Sequence, residues 1–314
     1  MLRMLTNLLA SNISIKYDLR GPLLSPTLAC ATGLNAIGES YNIIKNNDAD
    51  VMICGGSENS IHPLVFHSMN KLNTLYSSDK NFRPEEASRP FDADRSGFII
   101  GEGSGILVLE EYNHAKSRNA HIHCEVKGYA TFSDAYHLTK PTLDGEGGFR
   151  AMAKCLIDGN IVPGDVDLIN AHATSTEVGD LSELNALKNL FGNKQYESFE
   201  FFKKSIENLE FNFGLTDDEL DIERLKKLII NGNKSQIGHL LGAAGSVESI
   251  ISILSLKNNL ALDNLNTQKP VSNLFNFKYD TNSSNKYNLR YAIKNSFAFG
   301  GVNTSILFDK GLDL

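Results

Sequence analysis

The stretch SPTLACATGLNAIGESYNIIKNNDADVMICGGS, Ser25–Ser57, decides the fold class. Leu23 to Ala29 reads as a strand that delivers Cys30, and Pro26 within it suits an edge or a bulge. Ala31 to Lys45 carries Ile37, Tyr41 and Ile44 at helical spacing. Asp50-Val51-Met52-Ile53-Cys54 is a short apolar run ending at Gly55-Gly56, the pattern of a buried parallel strand. Strand, helix and strand in succession predict an α/β sheet.

The same alternation continues along the chain. Strands are expected at Ser104 to Glu110, His123 to Thr131, Asp167 to Asn170, Tyr291 to Ser296 and Ser305 to Phe308. Helices are expected at Glu111 to Arg118, Gly147 to Asp158, Asp180 to Leu190 and from Glu248 to about Lys257. Residues 76–97, with Pro84 and Pro90, read as a loop. Residues 193–231 differ in character, being rich in Lys, Glu and Asn, and read as a surface elaboration; Thr216-Asp217-Asp218-Glu219 is a capping-box pattern that starts a helix there.

A net charge of −7 over 314 residues speaks against a general nucleic-acid partner, since phosphate binding needs a basic face. No apolar run approaches the roughly 18 residues a membrane span needs, and no membrane partner is expected. Cys30, Cys54, Cys124 and Cys155 form no Cys-x-x-Cys pair, so the chain lacks the spacing of a zinc site or a disulfide framework and fits a reducing compartment. Met1 to Tyr17 carries Arg3 and Lys16 with no acid before Asp18, a composition resembling a mitochondrial presequence. With Leu2, Leu5, Leu8 and Leu9 able to share one face, the preferred reading is a first helix of the folded unit.

Four motifs carry chemistry. Cys30 sits at a strand-to-helix junction, where the helix N-terminus is expected to lower its thiol pKa. His172 follows a short buried strand, with the hydroxyls of Thr174 and Thr176 alternating after it. In KSQIGHLLGAAGSVE, Lys234–Glu248, a cation and an imidazole stand five positions apart, and small residues follow where another backbone can approach. Phe299-Gly300-Gly301, at a strand end, can present a backbone N–H to an oxyanion. Each motif taken singly also reads as plain structure: a core thiol, a satisfied histidine, a close helix packing, a tight turn.

Taken together, these motifs resemble the β-ketoacyl-acyl-carrier-protein synthases. The resemblance rests on Cys30, Asn170-Ala171-His172-Ala173-Thr174-Ser175-Thr176, Lys234 with Gly238-His239, and Asn295-Ser296-Phe297-Ala298-Phe299-Gly300-Gly301, in that order. Ser88-Arg89-Pro90-Phe91-Asp92 with Arg95, Gly97-Phe98 and Gly101-Glu102-Gly103 adds to it. It runs from about Leu2 to Phe308, broken at 193–231, and is nearest to the type II mitochondrial enzymes of fungi.

The resemblance implies a thiolase-like fold, layered α-β-α-β-α, with the first half incomplete at its N-terminus. Residues 1–135 would be what remains of the N-terminal half; 136–314 would be the C-terminal half with an insertion at about 193–231. It implies that Cys30 takes an acyl chain from acyl carrier protein as a thioester. A carbanion from decarboxylated malonyl-carrier would then attack it, elongating a fatty acyl chain. His172 and His239 would polarise the malonyl thioester, Lys234 would orient the site and Glu248 would support it. The N–H groups of Cys30 and Phe299 would hold the oxyanion, with Gly300 and Gly301 shaping that turn and Asn295 in support. Thr174 and Thr176 would bond the pantetheine arm, and Phe299 would gate the malonyl pocket. No organic cofactor and no metal is required; a monovalent cation is implied near Asn170, Glu248 and Asn295. A homodimer in the mitochondrial matrix is expected, with the cytoplasm as the alternative.

Family members carry roughly a third more chain on the N-terminal side, so a fragment, an internal start or one product of a split gene is expected. Leu28 and Pro26 before the nucleophile, and His67-Ser68-Met69 with Leu72, depart from the family's usual residues. The competing reading is a truncated, non-catalytic remnant or dimer partner. A degradative thiolase would need a second cysteine near the C-terminus, and the last here is Cys155.

Overall fold

The computed structural model describes residues 5–77, 82–277 and 287–311. In chain order they form α1 (Leu8–Tyr17), α2 (Thr32–Lys45), β1 (Val51–Glu58), α3 (Pro63–Lys71), β2 (Gly103–Glu110), α4 (Tyr112–Ser117), β3 (Glu125–Ser133), α5 (Glu146–Asp158), β4 (Leu168–Asn170) and α6 (Glu177–Phe191). Then follow α7 (Phe199–Glu207), α8 (Ile222–Lys227), β5 (Ile229–Asn231), α9 (Lys234–Ile237), α10 (Ala244–Asn258), β6 (Asn276–Phe277), β7 (Tyr291–Ala298) and β8 (Val302–Asp309). The alternation expected for an α/β chain is present.

Six strands make one mixed sheet in the order β3-β8-β7-β4-β5-β6, parallel from β7 through β6 and antiparallel from β3 to β7. Because β3 pairs with β8, this sheet begins before residue 136. β1 and β2 form a separate antiparallel pair. Helices α2 and α10 lie between the two sheets, and α5, with α6 against it, covers the far face of the larger one.

The central helix α10 shows how the sequence permits this burial. Ser246, Ser249, Ser252 and Ser255 recur every third residue and are all buried. Their hydroxyls need partners there. Ser249 Oγ donates to the Gly245 carbonyl and Ser252 Oγ to that of Glu248, so polar groups are satisfied within the helix itself. Small side chains also let backbones meet. A Cβ added at Gly33 in α2 would stand 2.8 Å from the carbonyl oxygen of Gly242. Close packing, the plain reading of the Gly242–Gly245 run, is therefore real, and it coexists with the site described below.

Several expectations are corrected. No strand forms at 23–29: the segment pairs with no ladder, and Pro22 and Pro26 supply no N–H for one. β1 is antiparallel to β2, not parallel, and only one of its faces is buried. Cys54 and Leu107 point inward, whereas Val51, Ile53, Ile106 and Val108 are exposed on the other face. Val51, Ile53 and Ile106 line the same cavity as Leu8, Leu9 and Ile13 of α1. In the 193–231 segment, Phe202, Leu225, Leu228, Ile229 and Ile230 are buried, and β5 is an inner strand of the large sheet. Surface elaboration fits the turns around 208–219 alone. There the Thr216/Glu219 capping box closes a 3₁₀ turn, and α8 starts later, capped by Asp221. Leu8 and Leu9 lie in α1, whose residues are not buried; Leu2 falls outside the described residues.

Candidate active site

Cys30 lies on a 3₁₀ turn, Ala29–Ala31, that runs directly into α2. Ala29 before it has φ 45°, a left-handed conformation that costs a non-glycine residue roughly 1 kcal/mol or more. That kink aims the sulfur into a cavity of about 1480 Å³ instead of along the helix. Its walls include His172, Thr174, Thr176, His239, Phe297 and Phe299. His239 Nε2 stands 3.1 Å from Cys30 Sγ, and the His239 and His172 rings meet edge to face with centroids 5.4 Å apart. Phe98 packs against the other side of His239, 5.1 Å centre to centre.

His239 is held by its backbone. Its N–H donates to the Ile99 carbonyl at 2.7 Å, and its carbonyl accepts from Gly101 N–H at 2.9 Å; a Cβ at Gly101 would stand 2.6 Å from the Ile237 carbonyl oxygen. His172 emerges just beyond β4. Its N–H and that of Ala173 donate to the buried carboxylate of Glu183, at 2.8 and 2.9 Å. Its carbonyl accepts from Lys234 Nζ at 2.5 Å, and the same ammonium pairs with Glu248 Oε1 at 2.7 Å.

The Ser88–Arg95 segment clamps this arrangement. Ser88 Oγ donates to the Lys234 carbonyl, Arg89 N–H to Ser175 Oγ, and the Arg95 guanidinium to the carbonyls of Thr176 and Glu177. Asp180 accepts from the N–H groups of Phe91 and Ser175, and burial pushes its carboxyl up to about 7. Thr174 and Thr176 share a hydrogen bond of 2.9 Å on the cavity wall, and Thr176 also caps α6.

The electrostatics correct one expectation. Burial raises the Cys30 thiol to about 11, outweighing Lys234 and the residue's own N–H, which pull the other way. The partial charge of a helix end is outweighed here by the depth at which the sulfur is buried, which a motif does not show. Burial, with Lys234 and other nearby positive charge, holds both His172 and His239 well below the usual imidazole range, so both rings are neutral at pH 7.

The remaining residues fall as follows. Phe299 and Gly301 line the cavity; Gly300 turns outward and its N–H donates to the Leu138 carbonyl at 2.7 Å. Asn295 turns away from Glu248: its amide donates to Glu183 Oε1, and its carbonyl oxygen accepts from Ser305. Among the described residues no group of three or more His, Cys, Asp and Glu is arranged to hold a metal. The implied monovalent cation near Asn170, Glu248 and Asn295 does not fit these residues. The ammonium of Lys294 stands there, 2.6 Å from Glu248 Oε2 and 3.1 and 3.5 Å from the carbonyl oxygens of Ala171 and Asn170.

Two buried charged residues packed against the site escaped the motif reading, Glu183 and Lys294. A carboxylate at 183, in line with Leu187 and Leu190 on an apolar helix stripe, was the signal for one. A lysine inside the apolar strand Tyr291–Ala298 was the signal for the other.

Comparison with known proteins agrees with this geometry. Residues 1–115 match the β-ketoacyl synthase N-terminal domain, and residues 123–205 and 219–268 match the C-terminal domain. The chain belongs to the β-ketoacyl synthase family. It is 40% identical over 307 residues to the mitochondrial 3-oxoacyl-[acyl-carrier-protein] synthase of Arabidopsis thaliana, covering 98% of this chain and 60% of that protein. It is 41% identical over 314 residues to a 3-oxoacyl-[acyl-carrier-protein] synthase homolog of Saccharomyces cerevisiae, covering 98% and 63%. A β-ketoacyl synthase from Burkholderia phymatum superposes with a TM-score of 0.78 at 31% identity, over 96% of this chain and 65% of the other. A structure described as a type II PKS acyl-carrier protein in complex with its ketosynthase bound to the hexaketide gives 0.80 at 31%, over 96% and 66%. The thiolase-like fold is that of these ketosynthases. The chain spans 60–66% of the length of these relatives. No helix among the described residues is long and apolar enough to cross a membrane.

Proposed function

We propose that this chain carries the condensing site of a 3-oxoacyl-[acyl-carrier-protein] synthase, with Cys30 as nucleophile and His172 and His239 as the pair that receives malonyl-carrier. The observation that carries the reading is the 3.1 Å approach of His239 Nε2 to Cys30 Sγ at the floor of a cavity walled by His172, Thr174, Thr176 and Phe299.

In the first half-reaction Cys30 sulfur attacks the thioester carbonyl of an acyl-carrier. The bond from that carbonyl to the carrier's sulfur breaks, and the thiol proton leaves with the carrier. His239, in its Nε2–H tautomer, donates toward the sulfur as negative charge develops there, and the field of Lys234 acts in the same sense. The N–H groups of Cys30 and Phe299 hold the tetrahedral oxyanion. In the second half-reaction the two neutral imidazoles donate to the malonyl thioester oxygen. Loss of CO2 leaves an enolate; its carbon attacks the Cys30 thioester and expels the thiolate, which takes up a proton. Covalent capture divides one difficult step into two. Neutral rings suit this work, because each keeps an N–H to donate without adding a buried positive charge.

Acyl carrier protein is the partner on this reading, with Thr174 and Thr176 bonding the pantetheine arm and Phe299 gating the malonyl pocket. The mitochondrial matrix is the proposed location, given relatives named as mitochondrial in a plant and in Schizosaccharomyces pombe. The half built on the larger sheet is proposed to begin with β3, and a homodimer is proposed. A second reading, a non-catalytic partner subunit, draws on the outer face of β1–β2, where Val51, Ile53, Ile106 and Val108 are exposed.

The test is condensation itself. Incubation with acyl-carrier and malonyl-carrier should release CO2 and give a β-ketoacyl-carrier two carbons longer, detected by intact mass. CO2 release and product formation both at the level of a Cys30→Ala/His172→Ala variant would refute the catalytic reading and leave the partner-subunit one.

A further inference from the structure

Lys294 is the second lysine in the buried network behind His172, and no motif accounts for it. It projects from β7 at the position paired with Asn170 on β4, and no part of it reaches solvent. Its ammonium touches Glu248 Oε2 and the carbonyls of Ala171 and Asn170. Glu248 in turn pairs through its other oxygen with Lys234, which bonds the carbonyl of His172. Glu183 takes the N–H groups of His172 and Ala173. Two ammonium groups and two carboxylates therefore surround one strand end, each bonded to the backbone from which His172 projects or to a group that is. Buried charge of one sign without the other is costly, so the four stand or fall as a set.

We propose that Lys294 is a positioning residue of the condensing site: its ammonium is a built-in cation that ties Glu248 to the 170–171 peptide and fixes the strand end carrying His172. It acts through those groups and touches no reacting atom. The inference rests on the function proposed above. Positive charge from Lys294 also helps to keep His172 and His239 unprotonated, alongside burial and Lys234. Around Lys294 the charged and titratable groups are Glu248 on α10, Lys234 on α9, Glu183 on α6 and the two histidines. Burial, together with Lys234, brings Lys294 itself down to about 8, so its charge is present through the neutral range and is lost above it. No exogenous monovalent cation is needed where an ammonium already meets the carboxylate and both carbonyls.

The test compares the wild-type chain with Lys294→Met, which keeps the methylenes and removes the charge, and Lys294→Ala, which opens an oxygen-lined space. Malonyl-carrier decarboxylation, acyl transfer to Cys30 and the melting temperature are read in potassium, methylammonium and choline buffers. Wild type should be indifferent to the cation. Lys294→Met should lose on the order of 100-fold in decarboxylation, the scale of a misplaced catalytic group, with its acid limb moved to higher pH. Lys294→Ala should regain decarboxylation and melting temperature in potassium or methylammonium, and not in choline. A Lys294→Met variant with wild-type rate and pH profile would overturn the proposal. So would a Lys294→Ala chain that stays inactive or unfolded in every buffer, since packing and not charge would then hold the site. Failure of the wild type to decarboxylate or to take acyl onto Cys30 would instead refute the function on which the proposal rests.

Discussion

His239 Nε2 and Cys30 Sγ, 209 positions apart in the chain, are 3.1 Å apart in the fold. The contact depends on a strained Ala29 on one side and a backbone clamp to Ile99 and Gly101 on the other. It distinguishes Cys30 from the other thiols. Burial lifts Cys54 and Cys124 to about 12 and holds Cys155 well above the ordinary thiol range, whereas Lys234 and its own N–H restrain Cys30 at about 11. We expect iodoacetamide to modify Cys30 ahead of the other three, with a rate that climbs with pH through at least 9. Lys234→Met should slow that reaction by on the order of tenfold at fixed pH, by removing a charge that favours the thiolate. Peptide mapping of the alkylated protein checks both; equal labelling of the four cysteines would contradict the first.

The histidines set a pH dependence of stability. Both are held below the ordinary imidazole value of 6.5 in the folded chain, first by burial and then by Lys234. Below that value the unfolded chain binds protons that the folded chain refuses, so their contribution to stability is present above about 6.5 and is lost as pH falls. Asp180, raised to about 7, works in the opposite sense, and the two trends overlap. A His172→Gln/His239→Gln variant shares Asp180 with the wild type, so the difference between them isolates the rings. Urea unfolding between pH 7.5 and 5 should show the wild type losing stability relative to the variant as the medium is acidified; parallel curves would contradict it.

Glu248 pairs with Lys234 at 2.7 Å and Lys294 at 2.6 Å, all three buried. Glu248→Ala would strand two ammonium groups at once. Breaking a buried pair from one side costs about 3–5 kcal/mol, and a loss of that order is expected from chemical denaturation of the variant.

Gly33 is needed for space and not for an unusual backbone. Its replacement by Ala would press a methyl against the Gly242 carbonyl, and backbone on both sides leaves little room to give. A destabilisation of about 1–3 kcal/mol is expected, with loss of activity wherever α2 and the Cys30 turn move together.

How far this was legible depends on the kind of information each feature needs. Helices α2, α5 and α6 follow from apolar residues at three- and four-residue steps, and strands β4, β7 and β8 from short apolar runs. The nucleophile and the histidines were visible because each sits in a motif of distinctive small neighbours. The direction of β1 was not, since an apolar run bounded by Gly55-Gly56 does not say whether its partner runs parallel or antiparallel. The sign of the Cys30 shift was hidden for a similar reason: it is set by how many distant groups close over the sulfur. Glu183 and Lys294 were visible only as charged residues in apolar surroundings, and their partnership through residues 170–173 and Glu248 exists only once four separate elements are brought together.

The most direct measurement is the mass of the chain after brief exposure to acyl-carrier in the absence of malonyl-carrier. Wild type should gain one acyl group, removable by hydroxylamine and mapped to the peptide containing Cys30, while Cys30→Ala gains none. An acyl adduct that persists in Cys30→Ala, or maps to Cys54, Cys124 or Cys155, would contradict the placement of the reaction at this sulfur.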